Sequence, residues 1–155
     1  MTGRTDFSDE DWAALVAAPL LAAMTVISAV HGGAARETMA VIRAYKAARA
    51  GSHGDLLTAV LDESPASKLT GQKFPREQVR EQAEASLRAA VSALDRAGSA
   101  DEITEYKRFV LALAESAAQA PRRGGFLRRR REISEGEQSA LDTIAAAVGE
   151  PTTRP

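Results

Sequence analysis

The chain has 155 residues, 45% of them hydrophobic and 26% charged, with a formal net charge of -1 at pH 7. This length fits one domain able to bury about 70% of the surface its unfolded form exposes, and the near-neutral charge gives no global field toward nucleic acid or membrane. Cysteine is absent, which excludes disulfides, thiolate metal sites and a cysteine nucleophile and fits a cytoplasmic protein.

Ser8, with Asp11 three residues on, reads as an N-cap, and Phe7 and Trp12 fall at the spacing of a hydrophobic staple. The first helix therefore starts at Asp9, with Asp9, Glu10 and Asp11 at the positive end of its dipole. It runs into Ala13 to Val30, where no side chain is charged and only Thr25 and Ser28 carry a polar atom. A helix apolar on every side must be buried on every side, so the later helices are expected to wrap it. At 1.5 Å per residue the stretch is roughly 27 Å long, just short of a hydrocarbon core. It is rich in alanine and follows acidic residues instead of the positive region of a secretory signal, which favours a core helix over a membrane span. Pro19 predicts a kink, since it removes a backbone hydrogen bond and crowds the preceding turn.

His31-Gly32-Gly33 ends that helix, and the order of charges, Glu37 early and Arg43, Lys46 and Arg49 late, predicts a second helix over Ala34 to Ala50. Its buried stripe reads as Ala35, Met39, Ile42 and Tyr45. Asp55 to Glu63 forms a short third helix with Leu56, Leu57, Val60 and Leu61 inside. Pro65 to Pro75 has turn residues without periodicity and reads as a mobile or binding loop. From Arg76, with Pro75 at the first helical position, Val79, Ala83, Leu87, Ala90, Val91 and Leu94 give the clearest amphipathic helix, stopped by Gly98. Ser99 with Glu102 is a capping box for a fifth helix, buried along Ile103, Tyr106, Val110, Leu113 and Ala117 and widened by Phe109. Ser134 with Glu137 is another, opening a sixth helix that buries Leu141, Ile144, Ala145 and Val148 and stops at Gly149. No stretch alternates as a strand does. The expectation is an all-α fold: one domain over 1–150, a bundle of six helices around the first, then a disordered tail at 151–155.

Between the fifth and sixth helices stand Arg122, Arg123, Arg128, Arg129, Arg130 and Arg131, six guanidinium groups within ten residues, with Phe126 and Leu127 among them. Each can make paired hydrogen bonds to carboxylate or phosphate, so these eight residues are the candidate binding site. An acidic protein partner comes first and an anionic lipid surface second, with Phe126 and Leu127 suited to a groove or a headgroup region, while a Gly-Gly-Phe-Leu turn packing back on the core to close the bundle end is the simpler reading of those two. A solvated loop is the plain alternative for a charge run. Against it, the arginines before Ser134 face the positive end of the next helix, a local rule broken without compensation. Nucleic acid is the least supported ligand, because aromatic side chains suited to stacking are scarce. His31 and His53 lack a third ligand or an activated nucleophile. Glu77 and Glu84 lie at ion-pairing spacing from Arg80 and Arg88, whereas a di-metal bundle needs Glu-x-x-His. Phosphate loops, serine elbows and zinc spacings do not occur. The reading is a non-catalytic interaction module without a cofactor and without a transmembrane span, compatible with a homo-oligomer.

Two joints are alike: Ala29-Val30-His31-Gly32-Gly33 leading to Glu37, and Gln119-Ala120 through Gly124-Gly125 to Ser134 and Glu137. Each follows an Ala-rich helix with a glycine pair and a first-turn glutamate. This resembles the tellurite-resistance TerB-like group of small all-helical bacterial domains, and the stretch from Tyr106 through Gly124, Gly125, Phe126 and Leu127 to Ser134, Glu135, Gly136 and Glu137 is similar to uncharacterised bacterial helical proteins of this length. The resemblance implies two pseudo-repeated helical pairs and, as a further alternative, a divalent-metal-binding stress protein. The group's acidic loops are replaced here by His31 with glycines and by arginines, which repel a cation, so no metal residues are carried over.

Overall fold

The computed structural model describes residues 2–29, 34–64, 75–120 and 133–150. They form α1 (Asp9–Ala29), α2 (Ala34–Ala50), α3 (Asp55–Glu63), α4 (Arg76–Ala97), α5 (Ala100–Ala118) and α6 (Glu135–Val148), preceded by one 3-10 turn at Arg4–Asp6. There is no strand among the described residues. α1 touches each of the other five helices and packs most broadly on α4 and α5, the arrangement its apolar composition requires. Burial is not complete all round: Leu15, Ala18, Ala22, Ala23 and Val26 are shut off from solvent, but Ala13 is exposed and Val16 and Met24 are half-buried. By length and composition α1 could cross a membrane, yet half of its most apolar stretch is buried inside the bundle.

Caps set the helix ends where local chemistry put them. The Asp11 N–H donates to Ser8 Oγ at 3.1 Å, the Phe7 and Trp12 rings meet at a tilt of 36° with centroids 5.9 Å apart, and capping boxes open α5 and α6. Pro75 is the N-cap of α4, one position earlier than its sequence suggests. Gly149 closes α6 at φ 74°, a left-handed conformation that glycine adopts without strain.

Helix α1 runs through Pro19 without a break. A proline has no N–H, so the carbonyl four residues earlier, that of Leu15, loses its helical donor. In this fold the Tyr106 hydroxyl, fully buried on α5, donates to Leu15 O at 2.8 Å. The side chain of one central helix thus completes the backbone of the other, across 91 residues of sequence. Nearby polar groups of α1 satisfy themselves: Thr25 Oγ1 donates to Leu21 O and Ser28 Oγ to Thr25 O, both at 2.9 Å.

α2 turns a different face inward from the one its sequence suggests. Glu37, Val41 and Tyr45 are buried, Ala35 is exposed, Met39 is 45% exposed and Ile42 is half-buried. The helix is rotated by roughly a third of a turn from the expected stripe. Val41 and Tyr45, with the partly covered Ala44 and Ala48, give a continuous face against the core, and the Tyr45 ring meets Phe109 of α5 edge-on at 5.6 Å. Glu37 is carried inward by sharing that face.

The helix directions define two poles. Arg96 at the end of α4 pairs with Asp11 at the start of α1 at 2.8 Å, so these two run antiparallel. Gly54, just past α2, donates to Glu105 near the start of α5 at 3.2 Å, while Tyr45 meets Phe109, so α2 and α5 are also antiparallel. One pole holds the α4–α5 turn, where Thr2 donates to Glu102 from its N–H at 3.0 Å and its hydroxyl at 2.7 Å. Burial acts to raise the Glu102 pKa, but hydrogen bonds from Ser99 and Thr2 outweigh it and hold the group at about 2. A carboxyl so depressed stabilises the fold fully above its unfolded pKa of about 4.3, and that share is lost as pH falls toward 2. Urea titrations between pH 5 and pH 2, taken as rough bounds from those values, should show a shallower loss of stability for Glu102→Gln than for the parent chain.

Candidate functional site

The residues singled out by sequence, Arg122, Arg123, Phe126, Leu127, Arg128, Arg129, Arg130 and Arg131, lie outside the described residues, as do the Pro65 loop beyond Ser64 and His31. The structure describes the two helix ends that flank the arginine segment in sequence, its moorings on the bundle. On the α5 side, Ala117, Ala118 and Ala120 are all buried, and the Gln119 N–H donates to Glu115 O at 2.9 Å. On the α6 side, Glu137 is 0% exposed, and its Oε2 accepts from both the Ser134 N–H and the Ser134 hydroxyl at 2.8 Å. Ile133, the residue before that cap, packs against the core.

Both moorings sit at the second pole. A Cβ built on Gly136, in the first turn of α6, would lie 3.4 Å from Ala29 O, so α6 starts against the end of α1. The start of α2 reaches the same level. Glu37 lies eight residues before Tyr45, and Ala117 eight residues beyond Phe109. At 1.5 Å per residue both are about 12 Å from that ring contact, which sets Glu37 level with the last turn of α5, where the arginine segment departs.

Glu37 is 3% exposed, and its Oε2 has no hydrogen-bond partner. The two first-turn glutamates of the repeated joints are therefore both buried at one pole. Sequence reasoning placed them in their first turns and did not place them inside. The signal present in the sequence is a buried aliphatic residue four positions on, Val41 and Leu141, which puts each glutamate on the inner face of its helix.

A cleft of about 130 Å³ opens beside this pole, lined by Thr25, Ser28 and Ala29 of α1, Arg80 of α4, and Gly136, Ser139, Ala140 and Thr143 of α6. Two of its polar groups are engaged within their own helices: the Thr143 hydroxyl donates to Ser139 O at 2.9 Å and Arg80 Nε to Glu84 at 3.1 Å. Arg80 turns forward to Glu84, which also holds Arg88 at 2.9 Å, rather than back to Glu77. His53 ties a joint: Nε2 is 2.8 Å from Ala48 O and Nδ1 is 3.4 Å from Glu105 Oε1. Among the described residues no group of three or more His, Asp or Glu side chains is placed to hold a metal ion.

No protein-family model, curated protein or solved structure matches this chain.

Proposed function

We propose that this protein is a non-catalytic helical interaction module that presents the arginine segment Arg122–Arg131 from one pole to an acidic protein partner. The observation that supports this reading is the mooring. A run of six arginines with a single glutamate, in a chain of net charge -1, is inserted between Ala120 and Ser134, both held by the packed bundle. Fixing the ends limits the conformational entropy lost when the guanidinium groups engage carboxylates. The rest of the chain is net acidic, so charge is segregated onto this insertion, which favours steering toward an acidic surface.

Calorimetric titration with poly-L-glutamate tests the reading. The parent chain should bind in a salt-sensitive manner. A variant carrying Arg128→Gln, Arg129→Gln, Arg130→Gln and Arg131→Gln should bind at least about tenfold more weakly, a loss of roughly 1.4 kcal/mol or more. Absence of binding to poly-L-glutamate, with salt-sensitive flotation on phosphatidylserine vesicles that the same variant loses, would replace the acidic protein with an anionic membrane.

A further inference from the structure

The rotation of α2 leaves a surface that the arginine segment does not account for. A helix of a bundle ordinarily buries methionine and exposes glutamate; α2 buries Glu37 and exposes Met39. Met39 is the one large hydrophobic side chain exposed among the described residues. Arg36, Arg43 and Lys46 are exposed with it. Positions 36, 39, 43 and 46 follow steps of three and four, so they form a single row on the outer face of the helix. Among the described residues none of these three cations is in an ion pair, a state shared with Lys107 and Arg108 of α5, whereas Arg4, Arg80, Arg88 and Arg96 each have a carboxylate partner. The exposed Ala47 beside the row leaves room for another backbone to come close.

We propose that this outer face of α2 docks an acidic amphipathic helix of a partner protein. The proposal goes beyond the arginine segment, since it rests on different residues. Charge complementarity selects the occupant. Arg36 and Arg43 are seven residues, about 10 Å, apart along the axis, so a facing helix with carboxylates two turns apart meets both and sets one apolar side chain on Met39. The flexible thioether adapts to such a side chain. A membrane surface fits less well, because interfacial helices bury several bulky apolar groups along one face, and here Met39 stands alone between cations.

Amide chemical-shift mapping with a synthetic helical peptide, bearing glutamates seven residues apart with a leucine between them, tests this. Shifts are expected along α2 from Arg36 to Ala47. They should be lost with Arg43→Glu plus Lys46→Glu, reduced several-fold in affinity with Met39→Ser, and kept when Arg128–Arg131 are glutamines. Arg43→Gln plus Lys46→Gln, with helical content checked by circular dichroism, guards against an effect of charge reversal on folding. Three results would overturn the proposal: no shifts on α2; binding lost only in the four-glutamine variant, which leaves the arginine segment as the acidic site; or a response of α2 to phosphatidylserine vesicles and not to the peptide. Shifts on α2 together with no effect of the four-glutamine variant on poly-L-glutamate binding would instead overturn the arginine-segment reading alone.

Discussion

Tyr106→Phe is expected to destabilise the fold by about 1–3 kcal/mol, and Tyr45→Phe to leave stability unchanged or raise it, although both tyrosines are buried. The difference lies in what each hydroxyl does. Removing the Tyr106 hydroxyl leaves Leu15 O, already without a helical donor because residue 19 is proline, buried without any partner. The Tyr45 hydroxyl makes no hydrogen bond of normal geometry, and neither does the neighbouring Ser64 Oγ. Burial pushes the Tyr45 hydroxyl up to about 12, with Ser64 and Arg49 offsetting this only in part. A desolvated hydroxyl without a well-formed hydrogen bond gives little back when the chain folds. Coupling to Pro19 sharpens the test. Pro19→Ala supplies an N–H to Leu15 O, so the cost of Tyr106→Phe should shrink by about 1 kcal/mol in that background. Urea midpoints at unchanged slope would measure all four members of the cycle. Equal costs of Tyr106→Phe in the two backgrounds would show that the hydroxyl does not serve the orphaned carbonyl.

The two buried glutamates are expected to respond in opposite directions. Glu37→Met should stabilise the protein by about 1–4 kcal/mol, because it replaces a desolvated carboxylate whose Oε2 is unpartnered with an apolar side chain of similar volume. Glu137→Ala should destabilise by about 1–3 kcal/mol, because the Ser134 N–H and hydroxyl lose the carboxylate that closes the first turn of α6. Thermal and urea unfolding of the two variants would decide the signs. A destabilised Glu37→Met would mean that this carboxylate has a partner in solution. A stabilised variant would mark Glu37 as a group retained against stability, as expected at functional positions.

What could be read from the sequence follows the range of the interactions involved. Ser8, Ser99, Ser134 and Gly149 act on their own turns, and the helices start and stop where those residues predict. The hub role of α1 was legible too, since a stretch with so little polarity has few other places to go. Pro75 was placed one position late in its helix, a choice between adjacent cap positions that local pattern does not resolve. The face of α2 depends on how Tyr45 meets Phe109 of α5, more than sixty residues away, and the pattern through Met39 and Ile42 was an equally regular competitor. The Tyr106 bond to Leu15 is likewise a long-range contact: Pro19 announced an orphaned carbonyl, and only the fold names its donor. For the candidate site, composition exposed the arginines, while the burial of Glu37 and Glu137 and the convergence of helix ends came from packing.

If the pole where α1 ends and α6 begins is the recognition end, hydrogen exchange of the parent chain with and without poly-L-glutamate reveals it there. Protection should rise at the moorings, over Ala118 to Ala120 and Ile133 to Glu137, and stay unchanged at the opposite pole around Gly98 and Ser99. Protection confined to that opposite pole, or no change anywhere at low salt, would contradict it.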